Sequence, residues 1–281
     1  MLDYSIKLPK NRRLFSVGFY VMPFFMNVLK LLLHSQVKRA IMFTDYYYKF
    51  IIGDNMKAYN KLPPSFRCAE VKKYYEILRQ KSAMLFFKRV LDLLLAVLLL
   101  IILLIPIAVI SVVVKCTSSG PVFFRQERVT TYGKHFKILK FRTMVQNAES
   151  MGAAVTTDND SRVTKVGRVL RKYRLDELPQ IFNVLSGNMT IVGARPEVPQ
   201  YVERYEKEYY ATLLMPAGIT SLASILYKDE EKLLGQSEDT DKVYIEQILP
   251  EKMKYNLQYV KDFSFLTDIK LMVRTVVEMI R

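Results

Sequence analysis

Tryptophan is absent from this 281-residue chain, and histidine and cysteine occur only twice each. With His34 and His135 the only imidazoles, a zinc site or a catalytic triad built on histidine has almost no material to draw on. Cys68 and Cys116 stand far apart and form no CxxC, which excludes a disulfide framework and suits a reduced compartment. No internal repeat or low-complexity tract is present, and the N-terminus lacks the short apolar core and small-residue cleavage site of an ordinary signal peptide. Negative charge is also scarce: 27 acidic residues face 42 Lys and Arg, a formal net charge of +15. Such an excess implies a polyanionic partner, whether nucleic acid, an anionic membrane face or a phosphorylated substrate. A hydrophobic content of 51% decides against a basic nucleic-acid module and for the membrane. The length allows one large domain, or a catalytic domain with added segments.

What the chain does have is a long apolar run. "VLDLLLAVLLLIILLIPIAVISVVV", Val90 to Val114, carries one charge, Asp92, and is bracketed by Lys88-Arg89 and Lys115. About 20 apolar residues cross a bilayer core, so this segment is expected in the membrane. Pro106 removes a backbone donor and crowds the preceding turn, which predicts two shorter helical pieces entering and leaving by one face. Charge supports that geometry: residues 34–89 hold twelve Lys/Arg against four Asp/Glu, and the chain after Lys115 is basic too. Both flanks then read as cytoplasmic. A second apolar stretch, Leu14 to Leu33, is interrupted by Pro23, Asn27 and Lys30; it reads as interfacial or re-entrant, with a true span as its rival. Residues 34–89 mix Tyr and Phe with Lys and Arg, which suits a headgroup region or a helix packed on the main domain.

Beyond Lys115, "GPVFFRQERVTTYGKHFKILKFRTM" predicts a β-hairpin turning at Tyr132-Gly133. A short basic helix follows, with Lys165, Arg168 and Lys172 on one face and Arg171 beside them. Asp176 and Glu177 come next, just before Pro179 and the helical "LPQIFNVL". Six cations crowd Arg162 to Arg174 ahead of these two acids. The plain reading makes Asp176 a helix cap and Glu177 a first-turn acid; the chemical one has acids and cations sharing a phosphorylated ligand. In the C-terminal helix, Leu266, Ile269, Met272, Val273, Val276 and Val277 form a 3.6-residue stripe expected to pack on the domain.

Five blocks, "FKRVLDLLLA", "GPVFFRQERV", "GKHFKILKFRTM", "DSRVTKVGRVLRKYRLDELPQIFNVLSGNMTIVGARPE" and "PAGITSLASI", occur in this order between Phe87 and Ile225. Together they resemble the bacterial sugar transferase family, the monotopic polyprenyl-phosphate phosphoglycosyl transferases. The resemblance implies transfer of a sugar 1-phosphate from a UDP-sugar to undecaprenyl phosphate, with release of UMP. This initiates polysaccharide or glycoconjugate synthesis. It makes Asp176 the nucleophile that carries the phosphosugar and Glu177 a ligand of Mg²⁺. Arg171 and Arg195 are the leading phosphate ligands, followed by Arg168, Arg142 and Lys140. An Arg195 that merely pairs with Glu197 is its bland alternative. Such chemistry needs an ionised Asp176, open to a cleft, and clustered cations were expected to lower its pKa. The chain departs from the family pattern at Ile105-Pro106, where Ser-Pro is usual, at Thr130, and in "MPAGITSLASILYKDEE", marking a divergent branch.

The expected architecture is a mainly helical α/β monotopic membrane protein: a re-entrant membrane helix hairpin, a small β element, and helices lying on the membrane face. Residues 1–80 form an N-terminal extension, 81–115 the membrane segment broken at Pro106, and 116–281 the catalytic domain. Its expected place is the cytoplasmic face of a bacterial inner membrane, with UDP-sugar, polyprenyl phosphate and anionic lipid as partners and no nucleic acid; self-association stays open. A catalytically inactive membrane adaptor of a glycan assembly complex is the alternative, and direct attack by the lipid phosphate is a third.

Overall fold

The computed structural model describes residues 56–148, 160–227 and 240–280. The apolar stretch Leu14–Leu33 and most of the N-terminal extension lie outside the described residues. Helix α1 (Ala69–Gln80) buries Val71, Tyr74, Tyr75 and Leu78, the i, i+3, i+4, i+7 row of an amphipathic helix. Of the two roles weighed for the aromatic-basic region, this part takes the packed one: those side chains join the main core with Ile191, Val192 and Val260.

Helix α2 (Ser82–Thr117) follows. It is continuous, so the two shorter pieces expected at Pro106 are not what forms. Proline in mid-helix removes one hydrogen bond and bends the axis, and the Leu- and Ile-rich sequence on both sides carries the helix through. At about 1.5 Å per residue it is about 54 Å long, against about 30 Å for a bilayer core. It docks along one face, where the half-buried Leu100 and Leu103 continue the contact between two fully buried patches. Lys88, Asp92 and Ala96 are buried near its start, and Ile107, Ser111 and Val114 toward its end. Between them, residues 97–106 include no buried side chain; Ile105 is 74% exposed.

Strands β1 (Phe123–Thr130) and β2 (Lys134–Phe141) form the expected antiparallel hairpin, in register from Phe123↔Phe141 to Thr130↔Lys134. The turn uses Tyr132 at φ 57° and Gly133 at φ 77°. Helix α3 (Lys165–Lys172) starts at Thr164, whose side chain accepts from the Gly167 amide at 2.9 Å and lies 3.2 Å from the Thr143 carbonyl as donor. Thr164→Ala will therefore cost about 1 kcal/mol, measurable by thermal unfolding of the full chain, whereas Thr164→Asn will keep most of it.

Helix α4 (Gln180–Leu185) leads into β3 (Met189–Val192), which pairs in parallel with β4 (Ala217–Thr220). All four β3 residues are buried, as expected of a strand covered on both faces. A helix entered through a π turn at Tyr244–Ile248 continues as α5 (Leu249–Lys261), and α6 (Phe265–Ile280) closes the chain. Both cysteines are free.

The expectation for α6 is overturned. Leu266, Ile269, Val273, Val276 and Val277 face outward, Leu266 at 70% exposure; of the predicted stripe only Met272 packs on the core. The inward face instead carries Leu271, buried in the core, and polar bonds: Asp268 to Lys88 and Tyr259, and Thr275 to Thr220 at 2.7 Å.

Candidate functional site

The candidate site forms where α3 ends. After Tyr173 the chain reverses at Arg174, which adopts φ 52°, ψ 22°. That left-handed conformation costs a residue with a Cβ about 1 kcal/mol. A 3₁₀ turn, Leu175–Glu177, then carries the two acids, one step ahead of α4. Neither that turn nor α4 has a side-chain cap, so the capping reading of Asp176 fails.

Glu177 is held from two sides. Arg195 Nη1 donates to its Oε2 at 3.0 Å, Arg195 Nη2 donates to Oε1, and Lys140 Nζ lies 3.3 Å from Oε1. Burial alone would raise this carboxyl, but Arg195 and Lys140 outweigh it and hold it well below the usual carboxylate range. Against the same burial, Glu177 keeps the Arg195 guanidinium more firmly protonated than usual. Burial lowers the Lys140 ammonium, opposed by Glu177.

Asp176 is the opposite case. It is 7% exposed, and among the described residues no hydrogen bond or ion pair reaches its carboxylate. Burial raises its pKa and the negative charge of Glu177 raises it further; Lys140, Arg171 and Arg195 pull against the rise without cancelling it. The expected depression thus falls on Glu177 rather than on Asp176. Crowding by cations is as expected, and the side chain is buried.

The remaining sequence candidates divide. Arg171 is half-buried and acts on Asp176 through its charge. Arg168 is exposed on α3, and no described contact joins it to the acids. Arg142 is engaged elsewhere: its guanidinium donates to the Pro121 carbonyl, to the Ser118 carbonyl at 2.6 Å and to the Ser118 hydroxyl at 2.7 Å, closing the C-terminal end of α2. The bland reading of Arg195 is overturned, because Glu197 is taken by Lys252 at 3.3 Å. Burial favours a raised Glu197 pKa, yet Lys252 and Arg128 bring it below its ordinary value.

Sequence reading missed Arg174, whose charge helps depress Glu177. Its only signal is position, two residues ahead of Asp176. It also missed the buried set of Arg128, Glu197, Tyr244 and Lys252. Lys252 donates to the Tyr244 hydroxyl at 2.8 Å, and a lysine 55 residues from Glu197 leaves no local mark.

Among the described residues no cluster of three or more His, Cys, Asp and Glu could hold a metal alone. Magnesium, however, commonly takes one or two carboxylates and completes its shell with water and substrate phosphate. The adjacent pair Asp176-Glu177 fits that donor set. Glu177 would hold such an ion in exchange for a present cation contact.

Residues 83–281 match the bacterial sugar transferase family. A UDP-N-acetylgalactosamine-undecaprenyl-phosphate N-acetylgalactosaminephosphotransferase of Aeromonas hydrophila is 37% identical over 194 residues, 68% of this chain and 43% of that protein. A UDP-glucose:undecaprenyl-phosphate glucose-1-phosphate transferase of Klebsiella pneumoniae is 37% identical over 193 residues, 68% of this chain and 39% of that one. The chain therefore spans less than half the length of these two. A transferase of the same description from Caulobacter vibrioides is 34% identical over 192 residues, 67% of this chain and 68% of its own length.

Proposed function

The chain belongs to the bacterial sugar transferase family, and on that premise we propose that it moves a sugar 1-phosphate from a UDP-sugar to undecaprenyl phosphate. The single observation carrying this reading is the division between the two acids: Glu177 locked by Arg195 and Lys140, Asp176 buried beside it with no bond on its oxygens. A nucleophile needs a free lone pair, and no hydrogen bond or ion pair has to be broken at Asp176 before it attacks.

In the first step an Asp176 oxygen bonds to the sugar-bearing phosphorus, and the bond from that phosphorus to the bridging oxygen breaks. UMP leaves with the electron pair. In the second, a phosphate oxygen of undecaprenyl phosphate attacks the same phosphorus and the bond to Asp176 breaks, restoring the carboxylate. Arg171, Lys140 and Arg195 offset the repulsion between a carboxylate and a diphosphate. A magnesium ion held by Glu177 would supply further neutralisation of the phosphate charge. Attack also requires Asp176 to ionise and to be uncovered as the diphosphate binds.

The membrane part of the proposal is that α2 enters and leaves by one face, bending at Pro106. Support comes from Pro106 inside the helix and from the basic residues on both of its flanks. The outward apolar face of α6 suits lipid contact, and the +15 charge suits anionic headgroups on the cytoplasmic side. The relatives named above differ in sugar at equal identity, so likeness selects neither sugar.

The test is incubation of the full chain with magnesium and radiolabelled UDP-N-acetylgalactosamine or UDP-glucose, without lipid. The expected result is up to one UMP per chain with label held covalently, chased off by undecaprenyl phosphate. UMP released only after lipid is added means direct attack by the lipid. No UMP from any UDP-sugar with lipid present would overturn the catalytic reading in favour of a silent adaptor.

A further inference from the structure

At the foot of α2 lies a buried polar network that the reaction does not use. Lys88 Nζ is 2.6 Å from Asp268 Oδ2 on α6 and 3.6 Å from Asp92. Asp92 accepts from the Thr190 hydroxyl and from the Ile191 amide at 3.3 Å, both on β3. The Tyr259 hydroxyl of α5 lies 2.8 Å from Asp268 Oδ1 and 3.0 Å from the Val192 carbonyl, sharing its one proton between them. Lys88, Asp92 and Asp268 are all 5% exposed or less. Asp92, the lone charge in the apolar run, is thus a dock rather than a charge in lipid.

We propose that this network is a positioning device for Arg195, and through it for Glu177. The proposal rests on the catalytic reading above.

The path is short and stiff. Three β3 residues, Thr190 to Val192, are gripped by Asp92 and Tyr259, and Arg195 comes three residues later. In between, the Gly193 amide donates to the Thr220 carbonyl at 3.0 Å, and the Gly218 amide to the Ala194 carbonyl at 2.8 Å. The glycines pack backbone on backbone. A Cβ on Gly218 would lie 2.2 Å from the Gly193 nitrogen, and one on Gly193 would lie 2.7 Å from the Pro216 carbonyl oxygen. Arg195 then donates to the Ile219 carbonyl at 3.2 Å and to Glu177. A shift of β3 along its axis has no slack to disappear into before it reaches the guanidinium. Stability alone gives little reason for such a network, since well-packed apolar groups often replace buried ion pairs without loss. Directional bonds fix register, which apolar contacts do less well.

The network also ties α2 to the helix that follows the catalytic turn: Lys88 and Asp92 belong to α2, and Arg89 beside them donates to the Val184 carbonyl of α4 at 3.0 Å. The depth at which α2 sits therefore bears on where Arg195 lies.

The experiment uses the full chain in lipid nanodiscs. Tyr259→Phe deletes one hydroxyl without changing shape, and Thr190→Val removes only the hydroxyl that Asp92 accepts from. Amide exchange by mass spectrometry is expected to quicken about tenfold over 190–195 while the β1–β2 hairpin keeps its rate. Unchanged exchange over 190–195, or equal quickening in the hairpin, overturns the proposal. UMP release from UDP-N-acetylgalactosamine or UDP-glucose gives the second readout: kcat falls about tenfold at constant KM, and Tyr259→Phe adds nothing once Arg195→Lys is present. A fully additive loss also overturns it. If wild type releases no UMP, the catalytic reading falls while the exchange result still decides this one.

Discussion

Asp176→Asn will be inactive and, at neutral pH, more stable than wild type. The loss of activity follows from removing the proposed nucleophile and should reach about 10⁴-fold or more in UMP release, with no covalent label. The gain in stability follows from the direction of the Asp176 shift. Its folded pKa is raised above the unfolded value of 3.8 by burial and by Glu177. Such a group binds its proton more tightly in the native state. Its contribution to stability is complete below pH 3.8 and lost as pH rises through the folded value. Above pH 3.8 placing Asp176 in the folded site is therefore a cost, which asparagine removes. A gain of about 1 kcal/mol is the scale of such repairs, or about 3 °C in apparent melting temperature. The variant should also lack the Asp176 part of the wild type's pH response, so the difference between the two narrows on acidification. Thermal unfolding of both proteins between pH 4 and 8 checks it. A variant less stable than wild type at pH 7 would mean that Asp176 makes a stabilising contact in the folded chain. The reading of a poised, unbonded carboxylate would then fail.

Such a cost is common where function opposes folding, and it bears on which parts of this protein were legible in its sequence. Asp176, Glu177 and Arg171 sit within seven residues of one another, so their grouping needs no long-range folding. Lys140 and Arg195 come to Glu177 from 37 and 18 residues away, and only the family resemblance pointed to them. Arg142 was read as a phosphate ligand because a cation at a strand end gives no sign that helix-end carbonyls will claim it. The network of Lys88, Asp92, Tyr259 and Asp268 spans up to 180 residues and leaves no pattern in the chain. The hairpin was legible because Tyr132-Gly133 states its turn locally. Helix α6 misled for a specific reason. Periodicity finds the apolar face, and in water that face turns inward; here Leu271 and the polar anchors at Asp268 and Thr275 face the domain, leaving the apolar row outside. The continuity of α2 through Pro106 means that one lost hydrogen bond is outweighed by the helical turns on either side.

Arg195→Met will destabilise the protein more than removal of any other single site cation, and adding Glu177→Gln will restore most of the stability without restoring activity. Glu177 is mostly buried, and Arg195 supplies the largest favourable charge on it. Taking away one partner of such a pair strands the other, at a cost of about 3 kcal/mol. Glutamine no longer needs the guanidinium, so the double variant recovers, but it still lacks a cation beside the diphosphate and stays at least about a hundredfold slow. The pH dependence carries the same signature. In wild type the folded Glu177 pKa lies below its unfolded value of 4.5. The stability it contributes is full above pH 4.5 and lost as pH falls through the folded value. Without Arg195 the depression shrinks, so the acid-side loss flattens in the single variant and is absent in the double one. Unfolding measured from pH 3 to 8 across the four proteins of this cycle gives the coupling directly. Additive stabilities would mean that Arg195 does not lock Glu177. The contrast between a fixed acid and a free one, on which the choice of Asp176 as nucleophile depends, would then be lost.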